Sequence, residues 1–136
     1  MSDAAPEQNT QAQANRLKTI LIADDSIPYL NLMGERLTQA GYRVVKATDG
    51  EEALKKARRL APDLIILDIM MPKIDGTEVR STLGESDPTA KTPIIFLTSL
   101  ISKEDEIDPR GRSADVIVAK SSDAAELLTA IKKLIG

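Results

Sequence analysis

The chain has 136 residues, enough for one domain with a sizeable core, and its 18 basic and 21 acidic side chains leave a formal charge of -3. That balance offers no general attraction to nucleic acid or to an anionic membrane. Cysteine and histidine are both absent, which excludes disulfides, thiol chemistry and thiolate metal sites and removes the usual general base and the commonest transition-metal ligand. Neither a signal-peptide pattern nor a membrane-length apolar run occurs, so a cytoplasmic protein with no membrane partner is expected.

Residues 1–16 are rich in alanine, glutamine, asparagine and acidic side chains with almost nothing bulky to bury, and read as a disordered leader or cloning remnant. Residues 17–136 form the expected domain. Thr19 to Ala23 is an apolar run, and Ile27, Leu30, Met33 and Leu37 then recur at helical spacing before Gly41. Tyr42 to Ala47 makes a second strand, and Ala53, Leu54, Ala57 and Leu60 mark a second helix ending before Pro62. Leu64 to Leu67 is a third strand. Val79 and Leu83 mark a short helix after Gly76, closed by the Asp87-Pro88 region, and Ile94 to Leu97 is a fourth strand. Between Thr98 and Val116, Pro109 and Gly111 interrupt any helix that Ser102 starts, so a turn or two of helix and a loop shaped for a partner are expected. Val116 to Ala119 is the last strand, and Leu127, Leu128, Ile131, Leu134 and Ile135 form one helical stripe. Strands alternating with amphipathic helices predict a doubly wound α/β fold.

Polar residues stand at the downstream ends of the apolar runs: Asp24 and Asp25, Asp68, Thr98 and Lys120. If the runs are parallel strands of one sheet, these side chains share the crevice at its carboxyl edge. Three crowded carboxylates repel one another unless a cation joins them, and oxygen-only ligands favour a hard ion such as Mg2+. Asp24, Asp25 and Asp68 are therefore the candidate metal ligands. Asp68, at the end of a central strand, is also the candidate nucleophile toward phosphorus, with Lys120 neutralising phosphoryl oxygens and Thr98 donating a hydrogen bond to one of them.

Other readings compete. Asp25, followed by Ser26 and Pro28, suits a helix cap, Asp24 a solvated strand end, and Asp68 an Asx turn leading to Pro72. A lone threonine or lysine at a strand end carries little; the joint placement carries the inference. Asp49-Gly50-Glu51 and Lys73-Ile-Asp75-Gly76 are turn signals, and no glycine-rich nucleotide loop is present.

The pair Asp24-Asp25, the stretch Asp68-Ile-Met-Met-Pro72-Lys-Ile-Asp-Gly76, Thr98-Ser99 and Lys120 together resemble the response-regulator receiver domain of two-component signalling, across about Lys18 to Ile135. The resemblance implies a flavodoxin-like five-stranded parallel sheet, order 2-1-3-4-5, with helices on both faces. It implies that Asp68 accepts phosphate from a histidine kinase or histidine phosphotransfer protein. Mg2+ would sit on Asp24, Asp25, Asp68 and the backbone carbonyl of Met70, while Thr98 and Lys120 match the switch hydroxyl and the phosphate-contacting lysine. Self-catalysed transfer with slow autodephosphorylation is then expected in place of conventional turnover, in a stand-alone receiver that signals by reversible contact with a downstream protein target.

Three features depart from the family pattern. Ile117 stands where the family commonly has an aromatic residue, and Lys120 precedes Ser121 where proline is usual, so a cis bond would cost about 2.5 to 4 kcal/mol. The helix between the fourth and fifth strands is interrupted. These departures leave phosphorylation chemistry intact and bear on output, which the loop from Ser99 to Ser113 is expected to carry. A receiver-like interaction module that works without phosphorylation is the alternative. A small aspartyl phosphatase is disfavoured by Met70, where a general acid is wanted, and no basic recognition helix suggests a nucleic-acid partner.

Overall fold

A computed structural model describes residues 17–85, 89, 91–99, 116–120 and 124–136. The expectations for residues 1–16, for Asp87-Pro88, for the loop containing Leu100, Pro109 and Gly111, and for Ser121 lie outside the described residues. Five strands, β1 (Thr19–Ala23), β2 (Arg43–Ala47), β3 (Leu64–Asp68), β4 (Ile94–Thr98) and β5 (Val116–Ala119), form one parallel sheet in the order β2-β1-β3-β4-β5, as expected. Four helices lie among the described residues: α1 (Ile27–Gln39), α2 (Gly50–Leu60), α3 (Gly76–Leu83) and α4 (Ala124–Ile135).

The three inner strands are apolar at almost every position because both of their faces are covered. Alternate residues serve opposite layers. Ile20, Ile22, Leu64, Ile66, Ile95 and Leu97 pack with Leu30, Met33 and Leu37 of α1 and Leu127 and Ile131 of α4. Leu21, Ala23, Ile65, Leu67, Ile94 and Phe96 pack with Ala53, Leu54 and Ala57 of α2 and Val79 and Leu83 of α3. A one-residue slip of any inner strand would exchange these sets, so the core pins the register. The edge strand β2 instead carries exposed Arg43 and Lys46, the charged edge that discourages pairing with another chain.

Most of the helical stripes face the core, with two exceptions. Ile27 and Leu60 share the spacing of their buried neighbours but are 51% and 42% exposed, as the first and last residues of their helices. Helix α3 ends at Leu83, with Gly84 as its C-cap.

Register aligns the strand ends. Ala23 is paired with Leu67, Asp68 with Leu97, and Thr98 with Ala119. Asp24 and Asp68 thus leave adjacent strands at the same edge, while Lys120 starts two strands from β3, about 10 Å at the backbone, and must reach across with its side chain.

Candidate functional site

Helices α1, α2 and α3 each begin on a side-chain cap, and the caps decide which acidic residues are structural. Ser26, not Asp25, caps α1: its hydroxyl accepts from the Tyr29 amide at 3.3 Å, with Pro28 in the first turn. The Ser26 amide in turn donates to Asp24 Oδ1 at 2.9 Å. Asp25 is left exposed at the mouth of the cleft. Asp49 caps α2 through the Glu52 amide at 2.8 Å, Glu52 reaches back to the Thr48 amide at 2.7 Å, and Asp75 caps α3 through the Glu78 amide at 3.0 Å. Asp49 and Asp75 therefore have the turn roles read from sequence.

The β3–α3 loop is held close by two glycines. A side chain at Gly76 would collide with the backbone carbonyl of Asp68, and one at Gly50 with that of Ile74. The Gly76 amide donates to the Ile69 carbonyl at 2.9 Å, and Lys73 bends the loop with φ 70, a left-handed conformation disfavoured for a residue with a side chain. Lys73 Nζ lies 3.6 Å from Asp49 and 3.5 Å from Glu51.

Asp24, Asp25 and Asp68 each present a carboxylate oxygen, all within 4.8 Å of one another. Asp24 is fully buried and Asp68 nearly so. Lys120 Nζ approaches Asp24 Oδ2 at 2.8 Å and Asp68 Oδ2 at 3.7 Å. The shorter contact is an ion pair, and Asp24 Oδ2, fully buried, finds no other hydrogen-bond donor among the described residues. Burial, reinforced by the field of Asp24, pushes the Asp68 carboxyl up to about 6, against the opposing pull of Lys120. Burial works against the Lys120 charge, but Asp24, Asp68 and Asp25 hold its ammonium above the ordinary range. Oxygen donors, net negative charge and an incompletely satisfied buried oxygen suit a hard divalent cation such as Mg2+.

The structure thus brings Asp24, Asp25, Asp68 and Lys120 together, and places Thr98, buried, at the end of β4, where its carbonyl accepts the Lys120 amide at 2.8 Å. Met70 follows in the loop, its amide donating to Asp68 Oδ1 at 3.3 Å and its residue 62% exposed. The Asx turn weighed for Asp68 is therefore present, on one oxygen, while Oδ2 faces Lys120. Ile117 is partly buried against the layer that contains Phe96.

Tyr29 was not singled out by the sequence reading. Its ring centroid is 4.7 Å from Lys120 Nζ, and burial, with the fields of Asp24 and Asp68, pushes its hydroxyl up to about 12. The available signal was its position four residues after Asp25, one of only two tyrosines and one phenylalanine in the chain.

Comparison with known proteins agrees with this geometry. A family model for the response regulator receiver domain matches residues 20–132. The chain is 38% identical to the DNA-binding dual master transcriptional regulator RpaA of Synechocystis over 85% of its length, and 37% identical to the alkaline phosphatase synthesis transcriptional regulatory protein PhoP of Bacillus subtilis over 87%. It spans about half of each, 48% in both cases. Against the polar-differentiation response regulator DivK of Brucella anthropi it is 29% identical, covering 88% of this chain and 97% of that one. The Vibrio cholerae chemotaxis protein CheY4 superposes with a TM-score of 0.79 at 31% identity, covering 88% of this chain and 99% of that one. The receiver domain of the Pseudomonas aeruginosa sensor histidine kinase PA1611, solved with magnesium in its active-site cleft, does so at 0.78 and 27%, over 88% and 98%. With its 2-1-3-4-5 sheet and acidic cleft, the chain belongs to the response-regulator receiver family of two-component systems, whose members bind Mg2+ in an acidic pocket and interact with histidine kinases or phosphotransfer proteins.

Proposed function

We propose that residues 17–136 act as a phosphoacceptor unit in which Asp68 takes a phosphoryl group from a phosphohistidine of a kinase or phosphotransfer protein. The observation that supports this most is the convergence of Asp24, Asp25 and Asp68 within 4.8 Å, with Lys120 reaching between two of them. A merely structural sheet edge has no physical need to gather three carboxylates in and around a buried pocket.

Asp68 Oδ2 is the attacking atom in this reading: Oδ1 already accepts from the Met70 amide, which orients the carboxylate. An O–P bond forms as the donor's P–N bond breaks, and the electron pair departs with the imidazole nitrogen. With its carboxyl at about 6, Asp68 is mainly ionised at pH 7, so no separate base is needed. Lys120 keeps its charge and is placed to neutralise phosphoryl oxygens; Thr98 donates to one of them. Asp24, Asp25, Asp68 and the Met70 carbonyl would hold Mg2+, which when bound supplies charge stabilisation for the transferring group. Hydrolysis of the acyl phosphate by water ends the signal slowly.

The output we favour is reversible contact with a downstream protein target in the cytoplasm, without nucleic acid or membrane as partner. The match to DivK along almost its whole length supports a stand-alone receiver. A second reading has its own support: RpaA and PhoP, named as transcriptional regulators, are about twice the matched length, which suits a receiver joined to a DNA-binding part. The mass of the native polypeptide separates the two.

Incubation with a small phosphodonor, with and without magnesium, tests the chemistry. Magnesium-dependent labelling is expected in the wild type and none in Asp68→Asn; stoichiometric acyl phosphate in that variant overturns the assignment.

A further inference from the structure

We infer that Tyr29 is a positioning residue for the phosphoryl transfer proposed above, its ring holding the Lys120 ammonium over the acidic cleft. The inference rests on that reading of the site and adds a residue to it. Lys120 comes from the far edge of the sheet, and its side chain must reach past the ends of β4 and β3 to meet Asp24. A four-carbon stem with three rotatable donors does not stay in one place without contacts on several sides. Asp24 supplies one at 2.8 Å and Asp68 a second at 3.7 Å. The Tyr29 ring, 4.7 Å from Nζ at its centroid, supplies a third.

The third contact differs in kind from the first two. Asp24 is also a candidate metal ligand, and charge that it gives to a divalent ion is no longer available to the lysine. The aromatic face attracts a cation without accepting its N–H groups in the manner of a carboxylate, leaving them for phosphoryl oxygens. The ring is itself well anchored: the Tyr29 amide bonds Ser26 Oγ at 3.3 Å in the first turn of α1, and the side chain packs against the apolar layer shared with α4. Its hydroxyl stays neutral at physiological pH. Asp24, Ser26 and Tyr29 thus form one short stretch that grips both the helix start and the lysine.

Two variants separate ring from hydroxyl. Tyr29→Phe keeps the aromatic face and Tyr29→Leu removes it while remaining apolar. Phosphorylation would be followed with phosphoramidate and magnesium; the new Asp68 O–P bond forms as the P–N bond breaks, and the nitrogen leaves as ammonia after taking up a proton. The wild-type and Tyr29→Phe rates should agree within about twofold, and Tyr29→Leu should be slower by roughly three- to tenfold, the range of a partly desolvated cation–π contact. In the absence of donor, the Lys120 side-chain NMR resonances should show a ring-current shift in the wild type and Tyr29→Phe that is lost in Tyr29→Leu. Dispersed amide spectra identify which variants are folded. A folded Tyr29→Leu with the wild-type rate, unchanged Lys120 resonances in Tyr29→Leu, or a Tyr29→Phe as slow as Tyr29→Leu overturns the inference. Failure of the wild type to be labelled at all indicts the phosphoacceptor reading instead, and the resonances still report whether the ring holds the lysine.

Discussion

Lys120 Nζ lies nearly an ångström closer to Asp24 Oδ2, at 2.8 Å, than to Asp68 Oδ2, at 3.7 Å. The lysine's nearer partner is therefore the fully buried carboxylate, and the one proposed to take phosphate is its second. Lys120→Met should leave Asp24 buried without its counter-charge. Removing one member of such a pair costs about 3 to 5 kcal/mol when burial is complete, and the 18% exposure of the lysine side chain puts the expected loss nearer the lower value. Magnesium should restore more stability to this variant than to the wild type, because three carboxylates then lack their only close cation among the described side chains. Urea unfolding with chelator and with magnesium measures both; equal magnesium gains in the two proteins contradict the pairing.

Asp68 has a pH signature of its own. Burial and the Asp24 field raise its folded value to about 6, above the unfolded value of about 3.9. The native state therefore binds this proton more tightly than the unfolded chain does, and the advantage present below about pH 4 is lost as pH rises to about 6. Asp68→Asn cannot titrate there. In chelator the variant should gain on the wild type across that window, by roughly 2 to 3 kcal/mol between pH 4 and pH 7. Magnesium, which favours the charged carboxylate, should shrink the difference. A stability difference flat from pH 4 to 7 contradicts the burial of Asp68 as a charged group.

Gly76 and Gly50 make a paired test of loop placement. Neither has a positive φ, so the constraint is space: a side chain at Gly76 meets the Asp68 carbonyl, and one at Gly50 meets that of Ile74. Both alanine variants should lose about 1 to 3 kcal/mol from overpacking against backbone. Only Gly76→Ala pushes on the residue proposed to react, so it should also slow phosphorylation at saturating magnesium, while Gly50→Ala should slow it much less. Equal rates in the two variants count against direct coupling of Gly76 to Asp68.

Much of this site was legible in the sequence because strand ends are. Asp24, Asp68, Thr98 and Lys120 each follow or finish an apolar run, and parallel register brings such positions to one edge regardless of what fills the helices. Helix ends were less legible: Ile27 and Leu60 keep the period of their stripes yet are exposed, since spacing records which side of a helix is apolar and not how well its terminal residues are covered. The cap of α1 was open in the sequence, because Asp25 and Ser26 are both good caps and only the hydrogen bond from the Tyr29 amide distinguishes them. The contact of Tyr29 with Lys120 and the approach of Gly50 to Ile74 join separate segments, and spacing along the chain does not say which segments meet.

The acidic residues of the α2 start should behave as structure, in contrast to those of the cleft. Asp49 accepts from the Glu52 amide at 2.8 Å and lies 3.6 Å from Lys73 Nζ. Loss of the cap in Asp49→Ala should cost about 1 kcal/mol. The ion pair adds little, since the Lys73 side chain is 60% exposed and solvent screens it. Lys73→Ala should therefore be nearly neutral on that account, and the double variant should show a coupling energy below about 0.5 kcal/mol. Phosphorylation rates of both single variants should stay close to the wild type, because neither residue reaches the carboxylate cluster. A large coupling energy, or a strong loss of labelling in Lys73→Ala, would instead make the ion pair between α2 and the β3–α3 loop part of what holds Asp68 in position.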